Sequence, residues 1–346
     1  MSAPTPEIVA EAFRRFQVDM IAPLDCWVEN RVYECIQNGK PVILKITPCS
    51  RTSRVELEGE FEFTRFLATH NIPVAQPIPS PNDEWIESLD GRTLGEFLAY
   101  LVEKAPGTVL PDEDEIHLPG DKLDHLLVEW GRLTGRLHRV ARSYHPSHPK
   151  YKRMEWDEEH TVWDVDRHLP ADQALVKEKV RSLFKKFQAL PKNESSYGLV
   201  HADLHHGNFS IDEGGYLTLF DFGACMYSWY ILDIAIALYN ALPYPPARVD
   251  ERRAFAPRFL QPFLQGYLSE NYLGPEWLAR IPDFLKYEYM ASYILYHQAW
   301  DLNNLSEKRA ALLQRYRYDI ENDIPLVDFD FADWVKHCEL YTQPRP

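Results

Sequence analysis

The strongest local signal for chemistry in this chain is eight consecutive residues, His201-Ala202-Asp203-Leu204-His205-His206-Gly207-Asn208, followed thirteen positions after Asn208 by Asp221-Phe222-Gly223. Two chemistries can be built from them. A carboxylate beside an acceptor hydroxyl, with further oxygens able to ligate Mg²⁺, suits phosphoryl transfer, which depends mainly on positioning and electrostatics. Asp203, Asn208 and Asp221 are the right kinds of group for that. Alternatively, His201, Asp203, His205 and His206 place four metal-ligating side chains within six residues, as a metal-dependent hydrolase would use them. The hydrolase reading leaves Asn208 and the D-F-G segment without a role. A non-catalytic nucleotide-binding protein is the third reading, and it would be expected to lack one of the three oxygens that are all present.

These residues must be held by regular elements. Gly198-Leu199-Val200 precedes the first segment and Tyr216-Leu217-Thr218-Leu219-Phe220 precedes D-F-G; with Asp212-Glu213-Gly214-Gly215 between them, the two runs read as a hairpin bracketing a site. Near the start, Asp25 to Thr47 alternates through Trp27, Val32, Tyr33 and Cys35, turns at Asn38-Gly39 and continues in Val42 to Ile46, so two or three antiparallel strands open the fold. A helical pattern over Arg54 to Thr69 ends before Pro73, and Trp85-Ile86-Glu87 and Tyr100 to Glu103 read as further strands. Ala105-Pro106-Gly107 then breaks regular structure. Beyond it, Leu123 to Val140, Ile231 to Leu242, Pro257 to Tyr272 and Pro282 to Leu302 carry helical spacing. The expected fold is α+β: an N-terminal lobe over 1–102 with a small antiparallel sheet, a hinge at 103–107 and a larger, mainly helical lobe over 108–346.

Three charged residues sit in apolar surroundings. Lys45 lies in Pro41-Val42-Ile43-Leu44-Lys45-Ile46, where its charge is costly unless it reaches water from an edge or meets a carboxylate. Glu56, Glu58, Glu60 and Glu62 on the following helix are all available to it. Asp233, in Ile231-Leu232-Asp233-Ile234-Ala235, reads as a helix cap or as a holder of loop backbone. Glu288 shares a helix with Tyr289, Tyr293, Tyr296, His297 and Trp300, a stripe that is core more often than pocket.

The order H-x-D-x-x-x-x-N then D-F-G, with His201-Ala202-Asp203 where protein kinases have His-Arg-Asp, resembles the aminoglycoside phosphotransferase and choline kinase family over most of the chain. The resemblance implies a two-lobed protein-kinase-like fold and transfer of the γ-phosphoryl group of ATP or GTP, with Mg²⁺, to a substrate hydroxyl. It implies that Asp203 orients or deprotonates that hydroxyl, that Asn208 and Asp221 hold Mg²⁺, that His201 braces the loop and that Lys45 holds the nucleotide phosphates. Matching Asn71-Ile72-Pro73-Val74 to the family's turn favours Glu60 as the partner of Lys45. By the same resemblance Asn30 touches phosphates and the backbone of Glu103 and Ala105 bonds the base, while His205, His206, Glu288 and Asp301 are candidates for the acceptor. Acidic Asp112 to Glu115 and Trp156-Asp157-Glu158-Glu159 are alternatives. The chain departs from the family at Ala202, commonly Gly, at His206, often Pro, and in having no glycine in Trp27 to Tyr33. The acceptor stays open: an aminoglycoside-like, amine-bearing compound comes first, with homoserine, choline, a thiosugar, a macrolide or protein serine or threonine as alternatives.

Composition bounds the partners. A formal charge of −15 over 346 residues argues against a nucleic-acid footprint and suits neutral or cationic small molecules. Five cysteines without a C-x-x-C pair suggest neither a disulfide framework nor a zinc ribbon. Met1 to Val18 has no apolar leader core and no later run approaches about 18 apolar residues, so a soluble, cytoplasmic protein without a membrane partner is expected.

Overall fold

The computed structural model describes residues 3–24, 30–91, 94–110, 120–158, 163–243 and 249–342. In chain order the elements are α1 Pro6–Phe16, β1 Asp19–Leu24, β2 Arg31–Gln37, β3 Lys40–Pro48, α2 Arg54–Thr69, β4 Pro77–Ile78, β5 Glu87–Asp90, β6 Glu96–Glu103 and β7 Thr108–Val109. There follow α3 Gly120–Ala141, α4 Val165–His168, α5 Ala174–Gln188, β8 Tyr197–Val200, β9 Phe209–Ile211, β10 Leu217–Leu219 and β11 Met226–Trp229. The remainder is helical: α6 Ile231–Ala241, α7 Val249–Glu270, α8 Pro275–Leu278, α9 Ile281–Ala299, α10 Glu307–Glu321, α11 Phe331–His337 and α12 Glu339–Thr342. The chain forms two compact units: the first contains 1–109, 143–153 and 208–223, the second 110–142, 154–207 and 224–346.

The first unit is built on an antiparallel sheet in the order β1-β2-β3-β6-β4, with β5 also on β6. Strand alternation divides it into two faces. Val42, Leu44 and Ile46 of β3 and Phe97, Ala99 and Leu101 of β6 pack with Ile8, Ala12 and Phe16 of α1. Leu98 and Tyr100 face the other way, against Leu57 and Phe61 of α2. Lys45 pairs across the strands with Tyr100, so its side chain leaves the sheet on the α2 side. The fold thus opens with a helix rather than a strand, and its signals are local: Thr5 caps the N-terminus, Pro6 stands in the first turn, and Arg14 and Arg15 lie in the last.

The expected hairpin between Gly198-Leu199-Val200 and Tyr216 to Phe220 is corrected. β10 pairs antiparallel with β9, immediately before it in the chain, and β7 joins the same small sheet. β8 pairs instead with β11, which follows D-F-G. β7 reaches β9 through Gly107, at φ +90, where a Cβ would stand 2.0 Å from Ile211 O; only glycine permits that approach.

The second unit is helical around α6, which is buried nearly throughout and apolar apart from Asp233, Tyr239 and Asn240. α3 and α7 lie close: a Cβ on Gly131 would fall 1.8 Å from Phe263 O, and one on Gly266 would fall 1.9 Å from Val128 O. α7 starts earlier than its sequence suggests and carries Pro257 and Pro262 inside it, the packing against α3 outweighing the local cost of proline. Of the aromatic stripe on α9, Tyr289 and Tyr293 are core, with Tyr289 stacked on Tyr316 of α10 at 4.0 Å between ring centroids, while Tyr296, His297 and Trp300 are half-buried. Among the described residues, no helix is long and apolar enough to cross a membrane.

Candidate active site

The residues singled out fall into both units. In the first, β3 presents Lys45 and α2 presents Glu60. α2 starts at a capping box between Ser53 and Glu56, and Leu57, Glu60, Phe61 and Thr64 then recur at helical spacing on its buried face. The four glutamates separate by environment. Glu56 belongs to the cap, Glu58 pairs with Lys150, and Glu62 accepts from Tyr144 Oη and Ser147 N. Glu60 is buried and feels the Lys45 charge.

The direct ion pair of Lys45 goes to Asp221, Nζ to Oδ1 at 3.1 Å. Burial alone would lower the pKa of Lys45, but Asp221, Tyr100 and Glu60 more than offset that and raise it. For Glu60 burial prevails, and with the nearby Asp221 charge it pushes the carboxyl up to about 7 against the pull of Lys45 and Arg153.

The β9–β10 hairpin gathers the two expected metal ligands. Asn208 precedes β9, Phe220 follows β10, and Phe220 N donates to Asn208 O at 3.1 Å; Asp221 comes next, with φ +64. Phe222 packs on Phe63 of α2. An amide and a carboxylate oxygen are hard donors, the kind Mg²⁺ takes together with phosphate and water oxygens, so Asn208 and Asp221 fit such an ion.

In the second unit β8 delivers His201, Ala202 and Asp203. Asp233, fully buried on α6, accepts from His201 N at 2.9 Å, from Ala202 N at 2.8 Å and from His138 Nε2 at 2.9 Å. Burial would raise its pKa, yet His138 and the loop N–H groups hold it below the ordinary carboxylate value. Of the two sequence readings for Asp233, this is the backbone holder. His138 Nδ1 meets Tyr267 Oη at 2.9 Å, Asn271 Nδ2 donates to that oxygen at 2.8 Å, and Arg142 donates to Asn271 Oδ1 at 2.6 Å. Sequence reasoning missed this chain of groups. Its one signal was a histidine, His138, on the otherwise apolar face of α3.

Asp203 is half exposed, with His205 Nε2 3.6 Å from its Oδ1. Gly207 N donates to His205 Nδ1 at 3.1 Å, which places the imidazole proton on Nε2, toward Asp203. His206 is buried. The histidine cluster does not assemble as a metal centre: among the described residues, no group of three or more His, Cys, Asp or Glu is placed to hold an ion. From α9, Glu288 comes within electrostatic reach of Asp203 and Asp233; burial first, then those two acids, push its carboxyl up to about 8. Asp301 lies beyond the end of α9, exposed, accepting from Asn303 N.

Of the remaining candidates, Asn30 stands immediately before β2. Glu103 ends β6 with its N–H donated to Gln76 O at 2.8 Å, and Ala105 follows two residues on. Trp156 is core, against Trp163, Phe184 and Trp229, and Glu158 accepts from Glu155 N. Trp27, Asp112 to Glu115 and Glu159 lie outside the described residues.

The model of the phosphotransferase enzyme family matches residues 23–280. The amicoumacin kinase of Bacillus subtilis (strain 168) is 42% identical over 334 residues, covering 95% of this chain and 96% of that one. The solved structure of an amicoumacin kinase, hAmiN, in complex with AMP-PNP, Ca²⁺ and Ami superposes with a TM-score of 0.80 at 37% identity, covering 96% of this chain and 93% of the other. A microcompartment-associated aminopropanol kinase shares the fold, with a TM-score of 0.69 at 20% identity over 98% of this chain and 100% of that one.

Proposed function

Since the chain belongs to the phosphotransferase enzyme family, we propose that it uses ATP and a divalent cation to phosphorylate a hydroxyl of an amicoumacin-like antibiotic. It is a small-molecule kinase of the protein-kinase-like fold. The 42% identity running nearly end to end with an amicoumacin kinase is the observation that carries the choice of acceptor. AMP-PNP in the related complex favours ATP over GTP. Glu288 adds to this, since an acid held near Asp203 would bind an amine-bearing acceptor. That extends the aminoglycoside-like expectation and is preferred to homoserine, choline or a thiosugar. A kinase fed by ATP suits the cytoplasm.

In this reading residues 1–102 form the nucleotide-binding lobe, with the base at 103–107 and the phosphates at Lys45 and Asn30. Asn208 and Asp221 would hold Mg²⁺, which when bound would neutralise charge on the nucleotide phosphates. Lys45 is the lysine that grips the phosphates, and Glu60 keeps it on the α2 side of the sheet. Asp203 accepts the hydrogen bond of the attacking hydroxyl, with His205 Nε2 nearby at 3.6 Å from its Oδ1. Asp233 holds the peptide just before Asp203, so the base is aimed by backbone rather than by its own side chain.

The test pairs acceptors with variants. ³¹P NMR of the wild-type enzyme with ATP and Mg²⁺ should show a phosphate ester on an amicoumacin and slower or no product with aminoglycosides, choline or homoserine. Asp203→Asn should abolish turnover, a loss of about 10²-fold or more, while AMP-PNP affinity is kept. Efficient turnover of choline or homoserine instead of amicoumacin would refute the acceptor, and near-normal turnover by Asp203→Asn would refute the role of Asp203.

A further inference from the structure

Segment 143–153 runs along one face of α2 and is tied to it on successive turns. Tyr144 Oη and Ser147 N donate to Glu62 Oε1 at 2.9 and 2.8 Å, and Ser147 Oγ donates to the other oxygen of the same carboxylate. One turn earlier, Tyr151 O sits so close to Gly59 that a Cβ there would be 2.7 Å away. A further turn back, Arg153 Nη1 donates to Glu56 O at 2.9 Å. The other terminal nitrogen of Arg153 donates to Gly223 O at 2.6 Å, within D-F-G. Arg153 is only 7% exposed. Gly223 is also where two carboxylates converge: a Cβ on it would have Glu60 Oε2 at 3.7 Å and Asp221 Oδ1 at 3.8 Å.

We propose that Arg153 is a positioning residue for phosphoryl transfer, a fork whose two arms fix D-F-G to α2 and thereby set Asp221 against Lys45 and Glu60. The chemistry of arginine accounts for its use here. Its planar guanidinium presents several N–H donors at fixed angles and keeps its charge, so it spans two carbonyls from different elements at once, and that charge lowers the cost of burying Glu60 nearby. Lysine offers no rigid fork, and glutamine offers no charge. Phe222 on Phe63 gives D-F-G a second, apolar contact with α2, but a ring contact does not define the turn of a backbone at positive φ, as Asp221 requires. The inference rests on the reading of Lys45, Asn208 and Asp221 as the part that holds the metal and nucleotide.

Arg153→Gln and Arg153→Lys should raise the Mg²⁺ concentration for half-maximal rate and the KM for ATP by about tenfold or more, with a smaller change in the KM for the acceptor. Tyr144→Phe loosens the same segment at Glu62 and should lower Tm without moving the Mg²⁺ requirement. Assays run well below the Tm of each variant, and circular dichroism confirms folding; if Arg153→Gln does not fold, Arg153→Lys carries the comparison. A wild-type Mg²⁺ requirement in the folded Arg153 variants overturns the proposal, as does an equal shift in Tyr144→Phe. Asp221→Asn separates the two levels: if it too leaves the Mg²⁺ requirement unchanged, the site assignment fails; if it raises the requirement and the Arg153 variants do not, only the role of Arg153 fails.

Discussion

Asp233 takes the N–H of Ala202 at 2.8 Å, and Ala202 is held at φ +62, a conformation that L-residues other than glycine seldom adopt. The loop is therefore bent by an acceptor buried beneath it. Asp233→Asn puts an amide N–H₂ where one of two acceptor oxygens stood and leaves a buried donor unpaired, at a cost of about 1–3 kcal/mol. Urea unfolding should show that loss, and kcat should fall about tenfold or more as Asp203 loses its aim. An unchanged kcat would show that the loop keeps its shape without this carboxylate.

Ala202→Gly should stabilise the protein. Relief of the left-handed backbone is worth about 1–2 kcal/mol, while the added freedom of glycine in the unfolded chain takes back about 0.4–1 kcal/mol. The net gain of about 0.5–1 kcal/mol is readable as a higher Tm, with kcat preserved; a lower Tm would mean that the Ala202 methyl is held by packing worth more than the strain.

Glu288 gives stability a pH dependence. Its carboxyl titrates near 8 in the folded protein against an ordinary 4.5, so between those values the native state holds a proton that the unfolded chain has released. Its contribution is most favourable below about pH 4.5 and is lost as pH rises through about 8. Glu288→Gln should therefore be more stable than wild type above pH 8, by about 1–3 kcal/mol given its partial exposure, and little different at pH 5. With an amine-bearing acceptor, raising pH from 6 to 8.5 should lower KM in the wild type and not in the variant, so parallel KM profiles would argue against Glu288 as the amine's partner.

Lys45→Met should cost more stability at pH 8.5 than at pH 6. Without the ammonium, Glu60, already near 7 with it, rises further and escapes its burial cost by staying protonated at the lower pH. Denaturant unfolding at both values measures the difference, and a penalty independent of pH would mean that Glu60 does not respond to Lys45. Turnover should fall by at least two orders of magnitude at either pH if Lys45 grips the phosphates.

What could be read from the sequence followed the range of its signals. Asp203 and D-F-G stood out because each follows an apolar strand, Lys45 because it interrupts one and Asn208 by its spacing from Asp203, and the helix carrying Glu60 announced itself by its own spacing. The partner of β8 did not, because pairing between strands separated by a hairpin leaves no trace in local alternation; Met226 to Trp229 runs straight into α6 without a turn residue. Helix α1 was marked by Thr5 and Pro6, signals that weigh little in so short a segment until it packs on a sheet. Arg153 was invisible for a different reason. It acts on two backbone carbonyls, and any residue can supply a carbonyl, so nothing in the sequence marks what it would hold.

The first unit is stitched from three stretches of chain, the last of them 208–223. A ribosome that has emitted residues 1–109 has made the Lys45 strand and the Glu60 helix but none of the residues that close over them. At roughly 5–20 residues per second, the D-F-G segment follows on the order of ten seconds later. Until then the buried Lys45 ammonium has the Glu60 charge near it but not Asp221, its direct ion-pair partner.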